Sequence, residues 1–236
     1  MSMPGFLPVR QLVLVDLLGM MAATHPGERA VIAVDGPEGV GKSRLVGELV
    51  ALAPLVAGRQ VLSVGIDGFH RPRAQRPAAQ GSPESYYRDS YDYDAFEDLV
   101  LRPFRAGRAI VPAAWDGRTD RPVHPDPLLC EEDALLLVEG LFLRRPELVQ
   151  GWDATCLVTA PAAVTVPRSH ARFPDKRVPG DEDPTHPANR RHREGQRLYR
   201  QQARLHQPTW IVDNTDLQRP QLIEPDPEEP QWFEQG

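Results

Sequence analysis

The sequence predicts an α/β fold, a parallel sheet with helices on both faces, from three observations. Short apolar runs recur at 31–35 (VIAVD), 61–66 (VLSVGI), 134–138 (ALLLV), 155–160 (TCLVTA) and 209–212 (TWIV). None alternates with polar residues, as expected of strands covered on both sides. Each is also separated from the next by enough chain for a crossover helix, the connection that parallel neighbours need.

Residues 9–24 place Val9, Leu12, Val13, Leu17 and Met20 or Met21 at roughly helical spacing, which predicts an amphipathic first helix. The first strand, 31–35, ends in a glycine-rich turn followed by a helical stretch over 42–53. Further helices are expected over 94–105, 161–172 and 188–205. A chain of 236 residues, 41% hydrophobic, can bury the core of one α/β domain but little of a second. One domain over 1–216 is therefore expected, with an acidic, proline-rich and poorly ordered tail over 217–236. The 25 prolines cluster at 71–83, 167–187 and 220–230, marking loops, a lid and the tail.

A formal charge of −6 offers no overall positive field to attract nucleic acid or an anionic membrane. No apolar stretch approaches a bilayer span and no cleavable leader is evident, so a soluble, cytoplasmic protein is expected. Cys130 and Cys156 lack metal-ligand spacing and read as small buried hydrophobes of a reducing compartment.

Gly36-Pro37-Glu38-Gly39-Val40-Gly41-Lys42-Ser43 matches GxxxxGK[ST] between a strand and a helix. Backbone N–H groups in such a loop wrap a polyphosphate, and the glycines permit the turn and the close approach of the anion. Lys42 reaches the β- and γ-phosphates, Ser43 supplies a hard oxygen to Mg²⁺, and the helix N-terminus adds its dipole. Gly36, Gly39, Val40, Gly41, Lys42, Ser43 and Arg44 are the candidate nucleotide-binding residues. No Asn-Lys-x-Asp motif for guanine is present, which leaves ATP as the expected donor.

Ligands of open parallel sheets bind beyond the carboxyl ends of the strands. Asp67, in IDGFH, and Glu139, in LLVEG, follow two of the apolar runs and are expected to point at the phosphate loop. Phosphoryl transfer to a hydroxyl needs a proton acceptor, a role for Asp67, and metal ligation, a role for Glu139. Either could instead be an ordinary solvated loop carboxylate. Asp35 directly precedes the loop, a position that suits fixing its turn as well as chemistry.

The set GPEGVGKS, IDGFHRPR, SPESYYRDSYDYDAF, LLLVEGLFL and HPANRRHREGQRLY with IVDN resembles the uridine kinase and nucleoside kinase branch of P-loop kinases, to which phosphoribulokinase and bacterial pantothenate kinase are related. The resemblance covers about 30–216. It implies a P-loop NTPase three-layer fold with a five-stranded parallel sheet and a lid, ATP and Mg²⁺ as co-substrates, and transfer to a hydroxyl of a small-molecule acceptor, the 5′-hydroxyl for a nucleoside. Asp67 matches the family's base. Asp92 matches the carboxylate that holds the ribose, although an Asp there also suits a helix N-cap. His70 stands where uridine kinases often carry tyrosine, and is either an acceptor contact or a loop histidine without a role.

Residues 109–123 resemble the family's hairpin over the nucleoside, where Trp115 is either a stacking platform or a packed tryptophan. Between 168 and 204 lies a run rich in arginine, usually a solvated helix face. Arg168 and Arg172, four apart, fall where related kinases keep a lid over about 168–190 and are candidates to clamp phosphates in the transition state. Arg191 falls near a base-contacting position of relatives. Two departures stand out: Pro167 is expected to kink the lid helix or move its start, and Glu38 and Val40 replace smaller or polar loop residues. A pantothenate, sugar or antibiotic acceptor and a non-catalytic nucleotide-binding regulator are the competing readings. Homo-oligomerisation is left open.

Overall fold

The computed structural model describes residues 8–76, 81–172 and 178–225. It is a three-layer α/β fold around a mixed, mostly parallel sheet ordered β2-β5-β1-β6-β7-β8. Strands β1 (Ala30–Asp35), β2 (Val61–Gly65), β5 (Leu135–Gly140), β6 (Ala154–Thr159) and β7 (Trp210–Asp213) correspond to the five apolar runs and are mutually parallel. A short antiparallel hairpin, β3 (Trp115–Asp116) with β4 (Arg121–Pro122), lies within 109–123.

The sheet departs from five all-parallel strands by one. β8 (Gln221–Ile223) pairs antiparallel with β7 and falls in the segment expected to be a poorly ordered tail. Its residues are exposed, so backbone pairing along an open edge holds it rather than side-chain burial. Hydrophobic patterning carries no record of such a strand. The rest of the expected tail, 226–236, lies outside the described residues.

Unalternated apolar strands feed two cores. Val31, Ala33, Leu136 and Val138 project to one face, while Ala30, Ile32, Val34, Leu135 and Leu137 project to the other. The second face is covered by α2 (Lys42–Val56), which contributes Leu45, Val46 and Leu49, and by α1 (Val9–Ala22), which contributes Leu14, Leu17, Leu18 and Met21. That α1 stripe differs from the expected one: Val9, Leu12 and Met20 are exposed and Arg10 is buried in line with the leucines. Position 10 lies four residues before Leu14, on the same face, and only its tertiary partners explain a buried guanidinium there.

The first face is covered by α3 (Pro83–Arg88), by α7 (Arg190–Ala203), and by a helical stretch in three pieces: α4 (Tyr93–Phe96), a π-type turn Glu97–Leu101, and α5 (Arg102–Arg105). Helix α6 (Ala162–Arg172) runs through Pro167, so the expected later start does not occur. Cys156 is buried, and burial pushes its thiol up to about 12. No described helix is long and apolar enough to cross a membrane.

Candidate functional site

The chain leaves β1 for β2 and β5 on one side, then crosses to β6 and β7 on the other. The carboxyl end of β1 is thus the topological switch point, where a crevice opens. The loop 36–43 occupies it and is clasped from two directions. A β-carbon on Gly39 would meet the Thr165 carbonyl of α6 at 2.1 Å, and φ there is +76°. One on Gly41, the α2 N-cap at φ +95°, would meet the Asn214 amide at 2.9 Å. Only glycine combines these conformations with such close backbone approach. Val40, expected among the nucleotide contacts, sends its side chain into the core at 0% exposure, which leaves its backbone N–H for that role; its carbonyl accepts from Asn214 Nδ2 at 2.7 Å.

Lys42 is nearly buried, with its ammonium donating to the carbonyls of Gly36 and Pro37 at 2.9 Å each. Burial lowers its pKa, while the carboxylates of Glu139, Asp35, Asp67 and Glu38 act the other way. Ser43 Oγ donates to Glu139 Oε1 at 3.0 Å. Glu139 lies within β5 rather than beyond it, flanked by Val34 and Gly65. Burial raises its pKa and Asp67 adds to the rise; Lys42, the Ser43 hydroxyl and Arg172 oppose it. Arg44 projects from the exposed side of α2 and pairs with Glu48 at 2.8 Å.

Asp67 sits in the turn Ile66–Gly68 beyond β2, exposed. Tyr91 donates its hydroxyl to Asp67 Oδ1 at 2.8 Å. His70 packs edge-on against Tyr91 with ring centroids 4.8 Å apart, and its Nδ1 lies 2.7 Å from the Asp67 carbonyl oxygen. The hairpin is tied to the same turn by the Ala114 N–H, which donates to Gly68 O at 2.8 Å. Trp115 is half-buried, its indole N–H donating to Asp120 at 3.1 Å. Asp92 caps α4 by accepting from the Ala95 N–H at 3.0 Å, the structural role open to it from sequence.

The arginines part ways. Arg172 is near enough to bias the ionisation of Glu139. Arg168 is committed elsewhere, donating to the carbonyls of Asn214 and Thr215 at 3.0 and 2.7 Å. Arg191 stacks on Tyr86, 5.3 Å from the ring centroid. Of the lid segment, 173–177, with Arg177, lies outside the described residues. The section 178–190 folds back on α6: the imidazole of His170 lies 3.1 Å from Asp181, and the Asn189 amide donates to the carbonyls of Asp181 and Asp183.

Three supports show partners that the sequence reading did not name. Arg10 donates to Asn214 Oδ1 at 3.1 Å and to the Leu217 carbonyl at 2.9 Å while pairing with Glu48. Through Asn214, α1 thereby holds the phosphate loop. Asp35, fully buried, accepts from the Tyr199 hydroxyl and from the Leu143 N–H. Tyr91 holds the exposed Asp67. Asn214 was visible only as the end of the IVDN segment, and nothing in the order of residues announces an arginine from position 10 beside it.

No family model matches the chain, and no curated protein matches it. Solved structures share the fold. A possible uridine kinase from Bacillus stearothermophilus superposes with a TM-score of 0.65 at 18% identity, covering 85% of this chain and 98% of its own. D-glycerate 3-kinase from Cryptococcus neoformans var. grubii gives 0.62 at 13% identity, covering 94% and 99%. A protein from Silicibacter sp. TM1040, provisionally assigned as a fructose transport system kinase, gives 0.62 at 20% identity, covering 81% and 94%. The architecture is the one shared by these three structures.

Proposed function

We propose that the chain is an ATP- and Mg²⁺-dependent kinase that phosphorylates a hydroxyl of a small metabolite. The observation that carries this reading is the convergence of Lys42, the Ser43–Glu139 pair and Asp67 on one glycine-lined loop. ATP fits the cradle because the loop leaves no room for β-carbons and presents a buried ammonium. Mg²⁺ fits because it takes hard oxygens and few protein ligands, which Ser43 and Glu139 would provide. Bound there, the nucleotide and metal supply an activated phosphoryl group with its charge neutralised.

The remaining work belongs to side chains of the protein. The loop amides and Lys42 hold the phosphates. Asp67 accepts the hydroxyl proton, with Tyr91 fixing its carboxylate through Oδ1. Arg172 is the lid residue placed to meet charge spreading over the transferred group. Arg168 shapes the loop at Asn214 and Thr215, a positioning role rather than the direct clamp expected of it. Asp92 and Trp115 are assigned to the acceptor side by the sequence resemblance.

The sequence resemblance favours a nucleoside acceptor phosphorylated at its 5′-hydroxyl, as in uridine kinases. An ADP-release assay over uridine, cytidine and nicotinamide riboside tests this; ATP binding without turnover of any of them would remove the nucleoside. Other small metabolites such as pantothenate, a sugar or an antibiotic are the second reading, compatible with a glycerate kinase among the structural neighbours. A regulator that binds nucleotide without catalysis would keep its biological activity in Asp67→Asn.

A further inference from the structure

The turn that carries Asp67 is held at four consecutive carbonyls, those of Ile66, Asp67, Gly68 and Phe69. Three of the donors are backbone N–H groups: Phe69 bonds Ile66 at 2.9 Å, Ala114 bonds Gly68 at 2.8 Å and Asp92 bonds Phe69 at 2.8 Å. Any residue except proline supplies such a donor. The fourth donor, at Asp67 itself, is a side chain: His70 Nδ1 lies 2.7 Å from the Asp67 carbonyl oxygen. A carbonyl oxygen only accepts, so Nδ1 carries the proton, and the bond holds whether or not Nε2 is also protonated.

The imidazole is kept in that orientation from two sides. Tyr91 meets it edge-on at 4.8 Å between centroids, and the backbones of the two residues form an antiparallel bridge. On the other side, a β-carbon on Gly117 of the hairpin would stand 2.7 Å from His70 Cγ and 2.9 Å from Nδ1. The hairpin backbone therefore lies against the ring, an approach that glycine permits. Tyr91 also donates its hydroxyl to Asp67 Oδ1 at 2.8 Å. Asp67 is thus fixed at both ends, its carboxylate by Tyr91 and its backbone by His70, and the two rings that fix it pack on each other. Asp67 is exposed, so no surrounding core does this work. A proton acceptor must lie within hydrogen-bond reach of the reacting hydroxyl, and small displacements of it cost rate.

We propose that His70 is a positioning residue for the base: its Nδ1–H fixes the backbone of Asp67 and its ring carries the hairpin over that turn. This is neither the acceptor contact nor the idle loop histidine that the sequence leaves open. The inference rests on the proposed role of Asp67 for its effect on rate, but not for the bond itself.

The test uses three substitutions of His70 in the full chain. Asn can place its amide nitrogen where Nδ1 stands, Gln where Nε2 stands, and Phe keeps a ring without a donor. Turnover is measured by ADP release with whichever of uridine, cytidine, nicotinamide riboside, pantothenate, D-glycerate and D-fructose the wild type phosphorylates best. His70→Phe and His70→Gln should lower kcat about ten- to hundredfold, His70→Asn should recover most of the loss, and the KM values for ATP and acceptor should stay unmoved. Gly117→Ala, which drives a β-carbon into the ring, should lower kcat in the same way with His70 intact. A raised acceptor KM at unchanged kcat makes His70 an acceptor contact and overturns the inference. So does an Asn variant of wild-type Tm that is as slow as the Phe variant. Independently of turnover, long-range proton–nitrogen NMR with His70 neutral should show the proton on Nδ1; a proton on Nε2 overturns the inference. No ADP release by the wild type with any of these compounds defeats the kinase reading and the rate effect with it, while a proton on Nδ1 still upholds the bond.

Discussion

The proposed donor and acceptor halves of the site are built in different ways. The donor half is backbone: one continuous loop, glycines at φ angles and distances no other residue tolerates, and a lysine bonded to the loop's own carbonyls. The acceptor half is side chains from separated segments, with Asp67, Tyr91, Trp115 and Arg191 arriving from a turn, a bridge, a hairpin and a helix. Backbone recognition suits a ligand common to many enzymes, and side-chain recognition suits one that differs between them. The first half is therefore fixed by a short motif, and the second can be rebuilt one residue at a time.

Substitutions can break that contrast. The largest effect is expected from Asp67→Asn, which removes the proton acceptor without touching the loop: kcat should fall about 10²–10⁴-fold while ATP affinity, measured by calorimetry, is retained. Gly39→Ala should do the opposite. Its β-carbon enters the space of the Thr165 carbonyl, so nucleotide binding is lost in the same calorimetric experiment while acceptor binding survives in the folded fraction.

Asn214→Ala tests the link between α1 and the loop. It leaves Arg10 and the Val40 carbonyl without their shared partner, a cost of about 1–3 kcal/mol in urea unfolding, accompanied by a higher KM for ATP. Asp92 separates its two roles through a pair of variants. Asp92→Ala should cost about 1 kcal/mol through the lost cap, whereas Asp92→Asn keeps the cap; a raised acceptor KM in the Asn variant alone identifies the carboxylate as a binding group.

The smallest effect is one of sign. Burial holds Glu139 above the usual carboxylate range, so its ionised form costs stability in the folded protein wherever the pH exceeds that raised pKa. Glu139→Gln should therefore raise Tm slightly at neutral pH in EDTA. The gain should fade as the pH falls through the raised pKa toward the ordinary carboxylate range, because the wild-type carboxyl is then protonated in both states. Activity with Mg²⁺ should fall in the same variant, so that stability and function move in opposite directions.

The donor half was legible from sequence because its physics is local. The strand 31–35, the turn and the helix that follow are contiguous, and a phosphate loop needs glycine at spacings that can be counted. Asp67 and Glu139 were legible by one further step, since both end strands of a parallel sheet. The motif counts positions and does not say which side chains turn inward, so the burial of the Val40 side chain was not legible, and only its backbone N–H is left for the phosphate role. α1 was placed correctly and Leu17 and Met21 of its expected stripe are buried, but Val9 and Leu12 are exposed and Arg10 is buried, because Arg10 counts as polar in any periodicity while its partners Glu48 and Asn214 hold it inside. Asp92 was recognised in both of its possible roles, and the geometry supplies the cap.

By itself, then, the sequence determined the strands, the phosphate loop and the two carboxylates beside it, because each follows from patterns within a few residues. Tertiary structure alone decided the sixth strand, the separation of Arg168 from Arg172, and the Tyr91 hydroxyl that holds Asp67. These depend on which distant segments meet, and a spacing along the chain holds no record of a contact 46 residues away, such as Arg168 with Asn214.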